Sequence, residues 1–397
     1  MFTDRVNHLE AEGAYVVLAR ALELERQGRE ILHLELGQPD FRTPGHVAQA
    51  GMAAIAEGLT RYTPPAGLAR FRELIATDAG SRRGVTITPD MVVVGPGSKP
   101  GLFFPTLALV APGEEVIYPD PGFPTYHAMI PVAGGRPVPV TLREENQFSF
   151  DLDVFDSKIS NKTKMIVLNS PANPTGGVIP LEDLKHIAAQ AQKYDAWILA
   201  DEIYSRLVYD GEFASLASIP GMLERTIISD GASKTWAMTG WRIGYAVNRA
   251  LAPVFTRWVT NTDSCASQIS QWATVEAING PQDAADRMRE SFRQRRDLIV
   301  GLLNQVPGVT CQSPGGAFYA WPNVTEACRM VGAKDSEEFR VRLLNETGVA
   351  VLADIHFGPR VPGEGQHIRF SYAASNEAIE KGVARLADFV RRHSRAA

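Results

Sequence analysis

The chain has 397 residues, 45% of them apolar and 21% charged, with a formal net charge of −5. This is ordinary globular composition, long enough for two domains at roughly 150 residues each. The mild acidity gives no electrostatic footing for nucleic acid or an anionic membrane, and no apolar run reaches the ~18 residues of a spanning helix.

The start, MFTDRVNHLEAEG, is acidic and has no apolar signal core, so a cytoplasmic location is expected. Cys265, Cys311 and Cys328 show neither CxxC nor metal-type spacing. A reducing compartment suits them, and no disulfide framework or metal site is expected.

Between about residues 90 and 250, short apolar runs alternate with helical stretches. MVVVG (91–95), EVIYP (115–119), KMIVLNS (164–170), AWILADE (196–202), RTIISD (225–230) and RIGYAV (242–247) read as strands covered on both faces. Leu184, Ile187, Ala188 and Ala191 follow the i, i+3, i+4, i+7 rhythm of an amphipathic helix between Pro180 and Asp195. Strand, helix, strand in succession predicts a doubly wound α/β domain. Residues 284–305 predict one long charged helix; beyond it, turn signals at Pro307-Gly308 and Pro314-Gly315-Gly316 introduce a smaller C-terminal α/β unit. That unit carries helices at 335–345 and 376–390 and ends in the strand HIRFSYA (367–373).

Ligands of open α/β sheets bind beyond the carboxyl ends of the strands, so the polar residues following each apolar run are the candidates. Lys234 follows the strand IIS, and lysine is the side chain that forms Schiff bases once its amine is deprotonated. Asp201 ends the strand AWILAD, with Tyr204 three residues on; the pair DE after a strand is otherwise an ordinary helix cap. NSPANPTGG (169–177) reads alone as a turn. MVVVGPGSKPGLF (91–103) is a strand, a Gly-rich turn and a helix start, an arrangement that suits a phosphate dianion. In HIRFSYA, Arg369 alternates with Ile368 and Phe370 and falls on the polar face of its strand.

Taken together, SKTWAMTGWRIG (233–244), DEIY (201–204), NPTG (173–176), GSK (97–99), LELGQPDF (34–41) and HIRFS (367–371) resemble, in order, the motifs of the class I/II aminotransferases, the fold type I family of pyridoxal-phosphate enzymes. The resemblance runs from about Leu34 to Ser375. It implies a large domain (45–290) with a mostly parallel seven-stranded sheet, and a smaller α/β domain built from 1–44 and 291–397. It implies pyridoxal 5'-phosphate bound as a Schiff base on Lys234, with Asp201 on the pyridine nitrogen, and Tyr204 and Asn173 on the phenolate oxygen. The phosphate falls to Gly97, Ser98, Lys99 and Arg242, and the ring packs on Phe123. The substrate α-carboxylate falls to Arg369, Asn173 and the backbone of Gly37. Tyr62, in RYTPPAG (61–67), takes the place of a tyrosine that reaches the phosphate of a neighbouring subunit, which implies a homodimer with shared sites.

Three departures stand out. Pro96 and Pro100 flank the phosphate turn, and Gly231 occupies a position where many family members carry a hydroxyl. The expected reaction moves an α-amino group from an L-amino acid to a 2-oxo acid. β-Elimination and γ-leaving-group cyclisation start from the same Cα–H cleavage and share the cofactor residues. A non-catalytic regulator would need a DNA-binding unit, for which the 33 residues before Leu34 leave little room. The substrate side chain is expected near Phe41, Tyr126 and residues 255–272, with Lys99 or Arg257 as cations for an acidic substrate.

Overall fold

A computed structural model of the chain describes Leu9 and residues 12–361 and 363–394; most of the MFTDRVNHLEAEG start lies outside these. In chain order the strands are β1 (Leu32–His33), β2 (Val92–Gly95), β3 (Glu115–Asp120), β4 (Arg136–Thr141), β5 (Thr163–Asn169), β6 (Trp197–Asp201), β7 (Thr226–Gly231), β8 (Gly244–Val247), β9 (Tyr319–Ala320), β10 (Val349–Ala350), β11 (Leu352–Ala353) and β12 (Ile368–Ser371).

A seven-stranded sheet in the order β2-β8-β7-β6-β5-β3-β4 forms the centre. The β3, β4, β5, β6 and β7 pairings are all parallel, and β8 runs antiparallel to both β2 and β7. The six apolar runs read from the sequence are six of these strands. The seventh, β4, went unread because RPVPVT breaks its apolar pattern with Pro137 and Pro139. It is tolerated because β4 lies at the sheet edge, where missing N–H donors cost no interior ladder bond.

Helix Leu181–Lys193 buries Leu184, Ile187, Ala188 and Ala191, the stripe expected from their spacing. The long helix spans Asp283–Leu303 and buries Met288, Phe292, Ile299 and Leu303 on one side. Its apolar face joins β9, β12 and helix Asn376–Ser394 in one continuous core, while three further apolar clusters pack around the central sheet. β9, β11 and β12 make a three-stranded antiparallel sheet, and β1 pairs in parallel with β10, so a segment near the N-terminus is stitched to the C-terminal unit.

The topology fixes where chemistry can happen. Parallel β3, β5, β6 and β7 all end at one sheet edge. Because β8 runs the other way, its first residues, with Arg242 just before them, reach the same edge. Phe292 is fully buried against Phe41 and Phe318. Phe292→Ala is expected to cost about 3–5 kcal/mol, read as a lowered denaturant midpoint with an unchanged slope; a loss under ~1 kcal/mol would contradict this view of the core.

Candidate active site

A cavity of about 550 Å3 opens over the carboxyl edge of the sheet, lined among others by Gly37, Ser98, Lys99, Phe123, Asn173, Asp201, Tyr204, Lys234, Arg242 and Arg369. Ten residues singled out in the sequence thus share one space, and Gly97 lies against it through Arg242.

Lys234 follows the end of β7 and donates from Nζ to the carbonyl of Gly37, 2.7 Å away. Burial, reinforced by the positive charges of Arg369 and Arg242, lowers its pKa to about 8. The neutral amine, which is the nucleophilic form, is therefore populated close to neutral pH.

Asp201 sits at the end of β6, 4% exposed. Burial raises its carboxyl to about 6, opposed by a hydrogen bond from the Tyr126 hydroxyl to Oδ2 at 2.7 Å. The Tyr204 and Tyr319 hydroxyls share a 2.6 Å hydrogen bond. Asn173 is held from behind: its backbone N–H donates to Asn169 Oδ1 at 2.8 Å, while Asn169 Nδ2 donates to the Asp201 carbonyl at 3.0 Å. One amide thus ties the ends of β5 and β6 to the Asn173 loop.

Arg369 enters from β12 and is 3% exposed. Nη1 donates to Asn173 Oδ1 at 2.8 Å and Nη2 to the carbonyl of Glu35. Its guanidinium lies 4.4 Å from the centre of the Tyr319 ring, a cation–π contact that helps hold the fork. Gly37 runs under Tyr319 so closely that a Cβ there would stand 2.0 Å from the tyrosine oxygen.

The glycine turn after β2 meets Arg242 across the sheet edge. Gly97 has φ +95°, and a Cβ on it would lie 2.1 Å from Arg242 Nη2. Gly244 in turn packs on Gly97 and Ser98, where a Cβ would come within 2.3 Å of the Gly97 carbonyl carbon. Pro100 opens helix Pro100–Leu109, where its missing N–H is harmless. The carbonyl of Pro96 accepts from Arg242 Nη2 at 3.3 Å. Gly231 pairs with Gly244 in the β7–β8 ladder, and a Cβ there would stand 2.9 Å from the Gly244 Cα, so a side chain has no room.

Lys99 Nζ pairs with Glu12 and lies 5.3 Å from the centre of the Phe123 ring. Tyr62 is 85% exposed and does not line the cavity of its own chain.

The side-chain pocket differs from expectation. Tyr126 is fully buried behind Asp201, Phe41 packs on Phe292 and Arg295, and none of residues 255–272, Arg257 included, lines this cavity. Residues near the N-terminus line it instead, namely Glu12, Tyr15 and Leu18, together with Tyr319. Sequence reasoning passed over Asn169 and Tyr319, and it placed Tyr126 by the substrate side chain where the structure puts its hydroxyl on Asp201. Only Asn169, a polar residue ending an apolar strand, carried a local signal.

A family model described as aminotransferase class I and II matches residues 29–386. The chain is a class I/II aminotransferase. An aspartate aminotransferase of Bacillus subtilis (strain 168) is 36% identical over 393 residues, covering 98% of this chain and 99% of that one. An asparagine–oxo-acid transaminase of Streptococcus mutans is 38% identical over 390 residues, covering 97% and 98%. The Thermus thermophilus aspartate aminotransferase solved with maleate superposes with a TM-score of 0.91 at 36% identity, covering 98% of this chain and 99% of that one. The aminotransferase therefore moves amino groups between amino acids and 2-oxo acids, and the elimination, cyclisation and non-catalytic alternatives find no footing among these relatives.

If burial sets the Lys234 amine, labelling of Lys234 in this aminotransferase by a small amine-specific reagent should rise with a midpoint near pH 8, against 10.5 for an unperturbed lysine. Peptide mapping across a pH series measures this. A midpoint above pH 10 would contradict it.

Proposed function

We propose that this aminotransferase works with pyridoxal 5'-phosphate on Lys234 and takes an acidic amino acid, aspartate or glutamate, as amino donor. The observation that carries the reading is the convergence of a neutralisable amine (Lys234), a buried carboxylate (Asp201) and a buried arginine fork (Arg369) on one cavity.

The residues present fit the cofactor. The cradle formed by Gly97, Ser98 and Arg242 closes if a Cβ is added at Gly97, and its backbone N–H groups and guanidinium suit a phosphate. Asp201 matches a pyridine nitrogen that must stay protonated. When bound, the cofactor supplies an aldehyde for the amine and a cationic ring that accepts the electron pair left at Cα.

The chain's own residues do the rest. Lys234 Nζ would take the Cα proton as general base and deliver that same proton to the carbon that was the cofactor's aldehyde. With the cofactor bound, Asp201 would hold the ring-nitrogen proton, Tyr204 and Asn173 would hydrogen-bond the ring oxygen, and Phe123 would pack on the ring. Arg369 and the Gly37 backbone grip the α-carboxylate, which sets the angle of the Cα–H bond. The relatives' names favour aspartate, and the Lys99 ammonium on the cavity wall offers a partner for a second carboxylate once it leaves Glu12.

Three further expectations belong to this reading. The division into 45–290 and 1–44 with 291–397 is supported by the β1–β10 pairing. A homodimer is supported by Tyr62, Met52 and Ile55, which are 85%, 61% and 56% exposed in the single chain and suit cover by a second copy. No helix among the described residues is long and apolar enough to cross a membrane, in keeping with the cytoplasmic location we propose.

Lys234→Ala should abolish turnover and the visible absorption of the bound cofactor, while the far-UV spectrum stays that of the parent. A screen of the twenty amino acids as donors should rank aspartate or glutamate first. They should lead the aliphatic and aromatic donors by about tenfold or more in kcat/KM, the worth of one charge-assisted contact. Turnover by Lys234→Ala would overturn the cofactor reading; an aromatic or aliphatic donor in first place would overturn the substrate reading alone.

A further inference from the structure

The arginine that faces the cavity has a neighbour whose presence the fold does not require. Glu35 is fully buried. Its Oε1 pairs with His33 Nδ1 at 2.7 Å, but its Oε2 is buried with no partner. Arg369 is likewise buried, and its Nε has no partner either. The two residues are already joined, because Arg369 Nη2 donates to the Glu35 carbonyl. Two residues of opposite charge, each with one buried atom lacking a partner, are thus linked through the Glu35 backbone. A buried charged atom left unpaired is costly.

The strand does not explain Glu35. The backbone bonds on this stretch run from the Leu32 and Leu34 N–H groups to the Gly348 and Ala350 carbonyls, and from the Ser371 N–H to the Leu34 carbonyl. None of them involves the Glu35 side chain, and an apolar residue would fill a buried position without the desolvation cost. The charges around the group are His33 and Glu25 on its outer side and Arg369 on its inner side; His33 bridges Glu25 at 3.2 Å and Glu35 at 2.7 Å. Glu35 is among the charges that favour the Arg369 cation against its burial.

We propose that Glu35 is a positioning residue for the Arg369 fork: its carbonyl holds Nη2 and its carboxylate is a buried counter-charge for the guanidinium, so that the fork stays aimed at the substrate's α-carboxylate. No direct ion pair joins Glu35 and Arg369 here. Glu35 acts as a nearby charge, while its backbone carbonyl holds Nη2. His33 holds one carboxylate oxygen and keeps Glu35 from turning outward. This inference rests on the reading of Arg369 as the α-carboxylate site.

The test uses the cofactor-loaded enzyme with Glu35→Gln, Glu35→Asp and Arg369→Lys. The probe is the α-methyl derivative of the preferred donor, which has no Cα proton to lose, and its Kd is read by calorimetry. Glu35→Gln should weaken the probe about tenfold, the effect of removing one charge-assisted partner. It should raise KM for the amino donor and the 2-oxo acid alike, change kcat far less, and leave cofactor affinity untouched. Glu35→Asp, which keeps the charge, should restore most of the binding. Wild-type binding by Glu35→Gln, with loss in Arg369→Lys, would overturn the Glu35 inference alone. Equal loss of probe and cofactor in both Glu35 variants would show a merely structural role and overturn it too. Wild-type binding by Arg369→Lys would overturn the carboxylate-site reading itself and this inference with it.

Discussion

The site depends first on the register of three parallel strands. Asn169 on β5 pairs with Asp201 on β6, and Asp201 with Ser229 on β7. Side chains alternate along a strand, so a slip of one residue would turn Asp201 to the other face of the sheet. The continuous apolar runs before each of these residues, buried on both sides, anchor that register in the core. Asn169 then locks the strand ends together, since its amide donates to the Asp201 carbonyl and accepts from the Asn173 N–H. Tyr126, fully buried, holds the Asp201 carboxylate from behind.

On that frame, one physical cause acts on two groups of opposite sign. Burial disfavours charge, so it lifts Asp201 to about 6 and drops Lys234 to about 8. The window between these values is where an ionised Asp201 coexists with a growing fraction of neutral Lys234 amine. Arg369 and Arg242 contribute to the shift at Lys234, so the two arginines proposed to meet ligand charges also help to free the amine.

Much of this was legible in the sequence because it is local. Six of the seven sheet strands announced themselves as apolar runs, and the helix at Leu184 by its period. Lys234, Asp201, Asn173, Arg242 and Arg369 stood in motifs long enough to be matched residue by residue. What stayed hidden depends on packing between distant segments. β4 was masked by prolines that only an edge position permits. Tyr126 and Tyr319 look like ordinary core aromatics until the fold brings them to Asp201 and Tyr204. The cavity wall near Glu12 comes from a helix whose placement over the sheet edge no local pattern reveals, whereas residues 255–272 pack elsewhere. That Gly231 lacks the hydroxyl common at its position was plain from the sequence; that the β7–β8 ladder leaves no room for a side chain there was not.

The central claim is that Lys234 is the one amine the cavity delivers to an aldehyde-bearing cofactor. Borohydride reduction of the enzyme loaded with pyridoxal 5'-phosphate, followed by peptide mapping, tests it most directly. The account predicts a single stable phosphopyridoxyl label, on the peptide containing Lys234. Label on Lys99 or on surface lysines, with Lys234 unmodified, would contradict it.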